Sequence, residues 1–254
     1  MKAHAKINLA LVVGPRRSDG LHEVATVLQR VDLTDEIELE PAERTTIEGF
    51  AEDTLIREAL RVIGVTAKVQ IEKRIPVAAG LGGGSSDAAT TLRLANQILD
   101  DPLGPRALHG LALGLGSDVP FFLREGPQLG RGSGAALSQL TLPQDYWVVL
   151  VLPRGARKVS TQAVYDAFEG EAGFEDRRQA LLAALEAQDL AALPSNDLAS
   201  SPIAHELRVA GAFRADVSGA GPVVYGLYAD RDRAVEAREL MASRGATWLA
   251  QPAW

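Results

Sequence analysis

The sequence contains no cysteine, which excludes disulfides, thiolate metal sites and thiol nucleophiles together. It has no run near the ~18 consecutive apolar residues that a membrane-spanning helix requires. Its first residues carry no signal-peptide pattern, so a cytoplasmic protein without a membrane partner is expected. A surplus of positive charge is also missing: 26 Lys plus Arg stand against 33 Asp plus Glu, a formal net charge of −7. Broad nucleic-acid binding needs a basic face to displace counterions, so no nucleic-acid partner is expected. A small anion is still admissible, because a local loop can be electropositive on an acidic protein. Lysine is scarce, 5 against 21 arginines; the bias has no functional weight, but it makes each lysine more informative. No repeat or low-complexity segment is present. With 254 residues, 46% of them hydrophobic, the chain can bury a sizeable core in one large domain or in two small ones sharing a cleft.

What the chain does have is a glycine-rich stretch at residues 76–92, PVAAGLGGGSSDAATTL. An alternating run at residues 69–75 reads as a half-buried strand leading into it. Gly80, Gly82, Gly83 and Gly84 allow a sharp turn and bring backbone N–H groups close to a ligand. Ser85 and Ser86 then open an Ala- and Leu-rich helix running to about residue 99, with hydroxyls where the first N–H groups need partners. A glycine loop emptying into a helix N-terminus is an anion site, most often for phosphate. It is not a P-loop, because no lysine follows the glycines. The dinucleotide fingerprint fits only in part, with Ser85 in place of the last glycine and Asp100 at a helix end instead of a strand tip. A ligand-free tight turn would need one glycine; four with paired serines favour phosphate.

Around this stretch the pattern is mixed. Residues 3–13 read as a covered strand, followed by a turn at residues 14–20. Residues 24–39 read as strand, turn at Thr34-Asp35, strand. Residues 54–63 form a periodic helix with Asp53 as its cap and Gly64 as its stop, and residues 67–75 the strand entering the glycines. A short helix is expected at 105–115, a hairpin turning at Gly130-Arg131-Gly132 within 128–140, and an apolar strand at 146–152. Helices follow at 161–168, 176–187 and 202–208. Residues 214–228 read as strand, glycine turn, strand, and a helix at 232–243 precedes a short final strand. The order is α+β, not alternating βα.

Three separated segments carry a resemblance. HAKINLAL (4–11), the glycine stretch at 76–91 and DVSGAGP (216–222) resemble the three motifs of the GHMP kinases. Within that superfamily AKINL (5–9), DGLHE (19–23), LGGGSSDAA (81–89), SDVP (117–120) and NDL (196–198) are similar to the members acting on a cytidine diphospho-methylerythritol in non-mevalonate isoprenoid synthesis. The likeness covers nearly the whole chain. It implies two lobes, an N-terminal ribosomal-S5-like ATP-binding domain at 1–143 and a C-terminal ferredoxin-like domain at 144–254, with the active site between them. The implied reaction moves the ATP γ-phosphoryl group to the 2-hydroxyl of the methylerythritol. The implied partners are ATP, Mg²⁺ and that small molecule, in a monomer or weak homodimer.

Phosphoryl transfer asks a protein mainly for positioning and charge stabilisation. Pro76, Gly80, Leu81, Gly82, Gly83, Gly84, Ser85 and Ser86 would wrap the triphosphate, with Mg²⁺ near Ser86 through water. The resemblance makes Lys6 and Asp118 catalytic. A carboxylate takes the proton of an attacking alcohol, while an ammonium keeps that carboxylate ionised and stabilises the transferring oxygens. Taken alone, Asp118 reads as a turn or cap residue before Val119-Pro120; Lys6 inside an apolar strand is harder to dismiss. Asn8, Leu21, His22, Tyr165, Gly219 and Gly221 are implied on the substrate side. His22 would read the cytosine edge, and Tyr165 would stack on it. Leu21 departs from the family, which commonly has an aromatic there. Without the resemblance, Tyr165 is equally a helix-packing residue and Gly219-Ala220-Gly221 a plain hairpin turn. Open alternatives are another GHMP kinase, acting on homoserine or mevalonate, and a catalytically silent nucleotide-binding homologue.

Overall fold

The computed structural model describes residues 1–50, 54–156, 160–170 and 172–253. In chain order the elements are β1 (Lys2–Arg16), β2 (His22–Pro41), β3 (Thr46–Glu48), α1 (Thr54–Ile63), β4 (Ala67–Glu72), α2 (Gly83–Gln97), α3 (Pro105–Leu115) and α4 (Val119–Phe122). There follow β5 (Gln128–Gly132), β6 (Ala136–Gln139), β7 (Trp147–Pro153), α5 (Thr161–Asp166), α6 (Phe174–Glu186), α7 (Pro202–Val209), β8 (Arg214–Val217), β9 (Val224–Tyr228), α8 (Arg231–Met241), β10 (Gly245–Ala250) and β11 (Pro252–Ala253). The strands fall into two sheets, so the fold is α+β as the sequence order implies. The chain divides into two units, residues 1–5, 33–77 and 82–125 forming one, and the rest the other.

In the first unit, the end of β2 pairs antiparallel with β4 from Glu36↔Glu72 to Pro41↔Ala67. β3 pairs parallel with β4, so β3–α1–β4 is a crossover unit. Ile56, Ala59, Leu60 and Ile63 of α1 are buried, the i, i+3, i+4, i+7 stripe of an amphipathic helix. Gly64, at φ +75°, ends α1 in a Schellman motif: its N–H donates to Arg61 O and that of Val65 to Leu60 O. The expected Asp53 cap lies outside the described residues. Helices α1 and α3 both pack on α2, as does α4.

The second unit holds the other sheet, β10-β7-β9-β8, antiparallel throughout. Numbered by its own strands this is β-α-β-β-α-β in the order 4-1-3-2, the ferredoxin-like arrangement. Val149, Val151, Leu207, Val224, Ala234 and Met241 share one buried cluster with Tyr228, because the apolar faces of α7 and α8 lie on the sheet. Full burial of each such aliphatic side chain is worth about 1.5–3 kcal/mol.

Three local expectations are corrected. Thr34-Asp35 is no turn, since β2 is one strand of 20 residues; Asp35 is fully buried with its carboxylate satisfied by the segment that follows β4. The β5–β6 hairpin turns at residues 133–135, not at Gly130-Arg131-Gly132. Gly130 pairs with Thr26 and Leu137 within the ladders, and it is Gly134, at φ +94°, that makes the turn. The helix after the glycines begins at Gly83, with Gly82 left-handed at its N-cap and no side-chain cap. Ser85 and Ser86 therefore sit inside the first turn and do not cap it.

Candidate active site

Within the second unit, β1, the end of the glycine loop and the β8–β9 turn are tied into one hydrogen-bonded knot. Lys6 and Asn8 are both buried, and the Lys6 ammonium donates to Asn8 Oδ1 at 2.6 Å. The Asn8 amide group is fixed from its other end, donating to Thr26 Oγ1 at 2.8 Å, which donates onward to Ala10 O. An asparagine held this way presents its oxygen to the lysine without rotational freedom. The Lys6 N–H donates to Leu81 O at 2.9 Å. Ser218 Oγ accepts from the Asn8 N–H and donates to Gly80 O at 2.9 Å. Val223 N–H donates to Ala79 O at 3.1 Å.

Glycine is required at two points of this knot. Gly80 has φ +84°, and a Cβ there would lie 2.3 Å from Ser218 O and 3.0 Å from Gly221 O. Gly219, at φ +58°, comes so close to β1 that a Cβ would stand 3.1 Å from Asn8 Oδ1 and 3.6 Å from Lys6 Nζ. Asn196 holds the turn from behind, donating through Nδ2 to Val217 O at 2.9 Å and Gly219 O at 2.6 Å. Its N–H donates to Asp216, whose carboxyl is raised above the usual range by burial, with the Asn196 and Val217 N–H groups and Arg214 opposing the shift.

The second unit also contains the His22 cluster. His22 Nδ1 lies 2.7 Å from Gly14 O; a carbonyl can only accept, so Nδ1 carries the hydrogen, and Nε2 is the nitrogen left to meet a ligand. Nε2 is buried with no hydrogen-bond partner among the described residues. Two rings flank the imidazole: Tyr165, tilted 37° at 6.0 Å, and Phe168, edge-on at 5.8 Å. Both also pack on the small cluster of Leu11, Val13 and Val24. Leu21 beside His22 is 54% exposed.

In the first unit the helix α2 begins at the glycines. A Cβ on Gly83 would meet Ile75 at 3.1 Å, and one on Gly84 would meet Leu55 at 3.3 Å, so these two glycines let the helix start close to its neighbours. Lys73 lies beneath, its ammonium 2.6 Å from Asp35 Oδ2 and 2.6 Å from Asp87 Oδ2. The same Asp35 accepts from the N–H groups of Arg74 and Ile75, which fixes the chain just before Pro76. Burial of Lys73 works to lower its pKa, but Asp87 and Asp35 outweigh it and the value is raised. Ser86 is buried, and its N–H donates to Gly82 O. Asp118 lies in the turn at residues 117–118, at the N-cap position of α4, and makes no side-chain capping bond.

Lys6, Asn8, Gly80, Leu81, Gly219 and Gly221 thus come together in the second unit, as do His22 and Tyr165. Pro76, Gly82, Gly83, Gly84, Ser85, Ser86 and Asp118 belong to the first. Three features had not been anticipated. Asn196 was visible only as part of a familiar tripeptide. Lys73 had one signal, its rarity among the basic residues. Phe168 had none beyond lying three residues after Tyr165.

The sequence matches the GHMP kinases N terminal domain over residues 46–126 and the GHMP kinases C terminal family over residues 177–247. It is 36% identical to the 4-diphosphocytidyl-2-C-methyl-D-erythritol kinase of Geobacter sulfurreducens, over 98% of this chain and 96% of the relative. It is 39% identical to the enzyme of that name from Pelotomaculum thermopropionicum, over 91% and 90%. A crystal structure of 4-(cytidine 5'-diphospho)-2C-methyl-D-erythritol kinase superposes with a TM-score of 0.83 at 32% identity, covering 100% of this chain and 99% of the other.

Proposed function

The chain belongs to the GHMP kinases, and from that membership we propose that it phosphorylates the 2-hydroxyl of 4-diphosphocytidyl-2-C-methyl-D-erythritol with ATP, in isoprenoid synthesis. The observation that carries the kinase reading is the knot in which Lys6, Asn8, Gly80 and Gly219 meet. Three motifs far apart in sequence are held there by mutual hydrogen bonds. Near full-length likeness to enzymes of that name supports the substrate.

In this reading each residue has a distinct task. The N–H groups from Gly80 to Ser85, with the Ser86 hydroxyl and the positive end of α2, receive the triphosphate. Lys6, oriented by Asn8, stabilises the oxygens of the transferring group. Asp118 takes the proton of the attacking hydroxyl. His22, its hydrogen committed to Gly14 O, offers Nε2 to an amino hydrogen of the base. That is what separates a cytosine from a uracil, which bears a carbonyl at the same position. Tyr165 supplies the stacking face, and Leu21 with Gly219 and Gly221 completes the substrate side. Mg²⁺ enters with the nucleotide. In this reading the ion would be held by phosphate oxygens and water, with the Ser86 hydroxyl nearby. Bound there, the ion would neutralise phosphate charge. The functional division falls at residues 143 and 144, and the enzyme works in the cytoplasm as a monomer or weak homodimer.

The test is ATP consumption across a panel of cytidine diphospho-methylerythritol, homoserine and mevalonate. Turnover of the cytidine compound alone is expected. Turnover of homoserine or mevalonate instead would make it another GHMP kinase, and no turnover with any of them would leave a nucleotide-binding homologue without catalysis.

A further inference from the structure

The segment Asn196-Asp197 is not part of any proposed binding surface, yet it is bonded to both clusters in the second unit. Asn196 is buried and uses its whole side chain. Nδ2 donates to Val217 O and Gly219 O, and Oδ1 accepts from Leu198 N–H at 2.9 Å. Gly219 is the residue packed against Asn8 Oδ1 and Lys6 Nζ. Asp197 turns the other way. Its Oδ2 accepts from the Val13 N–H at 2.8 Å and from Arg177 Nε at 3.1 Å, and its own N–H donates to Leu11 O. Val13 precedes Gly14, the residue whose carbonyl fixes the His22 ring. Arg177 Nη2 adds a 3.3 Å bond to Val13 O.

We infer that Asn196 and Asp197 are separate positioning residues: Asn196 sets the glycine turn against Lys6, and Asp197 sets the β1 backbone that orients His22. The inference rests on the proposed roles of Lys6 and His22. It follows from which atoms are held. An amide is the one side chain of this size that donates twice to carbonyls while accepting once. The Asp197 carboxylate, by contrast, gathers a backbone N–H and a guanidinium at one oxygen. Loss of the first clamp displaces a group that acts in the transition state, which lowers kcat. Loss of the second loosens a group that binds the ground state, which raises KM for the cytidine substrate.

The test pairs Asn196→Asp, which keeps the acceptor and removes both donations, with Asp197→Ala. Amide hydrogen exchange is read first, because it does not depend on activity. Asn196→Asp should raise exchange about tenfold or more at Ser218, Gly221 and Val223 while Val13 stays protected, and Asp197→Ala should do the reverse. In steady-state kinetics, Asn196→Asp should cut kcat about tenfold with both KM values within about twofold. Asp197→Ala should raise the cytidine KM about fivefold with kcat nearly unchanged, and Asp197→Asn, which still accepts from Val13, should recover most of it. If Asn196→Asp does not fold, Asn196→Ser, too short to reach either carbonyl, is read in the same way. Two variants with the same exchange pattern, or with the same kinetic defect, overturn the inference. If the wild-type protein does not turn over the cytidine compound, the functional reading fails, and the exchange pattern alone then decides whether the two clamps are separate.

Discussion

Replacing Gly80 by alanine introduces one methyl group where there is no space for it. At φ +84°, the new Cβ would stand 2.3 Å from Ser218 O and 3.0 Å from Gly221 O. The Ser218 carbonyl, the nearer of the two, cannot retreat cheaply, since Ser218 N–H is bonded to Val223 O and Ser218 O accepts from Gly221 N–H. The left-handed backbone costs an alanine about 1–2 kcal/mol, and forcing an extra carbon into a packed site costs about 1–3 kcal/mol more. A loss near 3 kcal/mol corresponds to roughly 6–12 °C in Tm for a chain of this size. Gly20 supplies the control: its φ is +81° but nothing lies within 4 Å of its Cβ position. Gly20→Ala should cost only the backbone strain, about 1–2 kcal/mol. Differential scanning calorimetry on both variants separates crowding from strain. Equal losses at the two sites would refute the close packing of the glycine loop against the β8–β9 turn.

Asp118→Asn should lower kcat by roughly 10²–10⁴ with substrate binding retained, and Lys6→Ala should act similarly; their double mutant, far less than additive, would be measured in the same assay. Tyr165→Ala should raise KM for the cytidine substrate about tenfold, the loss of one stacking face worth ~1–3 kcal/mol, and leave KM for ATP in place; equal rises in both would point to general damage. Lys73→Met leaves Asp35 and Asp87, both fully buried, without their cation and should cost about 3–5 kcal/mol in urea denaturation. Because the folded-state pKa of Lys73 is raised above its ordinary 10.5, its stabilisation is complete below pH 10.5 and lost as pH climbs through the higher folded value. Wild-type stability should therefore fall over that alkaline window by a component that Lys73→Met lacks.

The sequence made periodic and glycine-marked features readable, because these depend on neighbours a few residues away. The α1 stripe with its Gly64 stop, the α3 start at Pro105 and the paired strands around Gly219 are of that kind. It failed where a distant partner overrides a local preference. Asp35 looks like a turn residue until Lys73 and the N–H groups of Arg74 and Ile75 arrive from 38 to 40 positions away; with those bonds a carboxylate is stable inside a strand. Ser85 and Ser86 look like caps, but Gly82 in the left-handed region starts the helix earlier. Asn196 meets Val217 and Gly219 only through the fold, and no local pattern announces such a clamp.

The knot around Gly80 also has a consequence for how the chain is made. Gly80 and Ser218 are separated by 138 positions, and Asn8 and Ser218 by 210. A ribosome adding ~5–20 residues per second takes roughly 7–28 s to travel from the first of these glycines to that serine. Throughout that interval the nascent loop has water where the serine hydroxyl and the Val223 amide will later bind. Contacts so remote in sequence cannot reward the loop-closure entropy until Ser218 and Val223 have left the exit tunnel. Completion of the knot thus waits for Ser218 and Val223, and a polypeptide that stops short of them has a glycine loop with nothing to close upon.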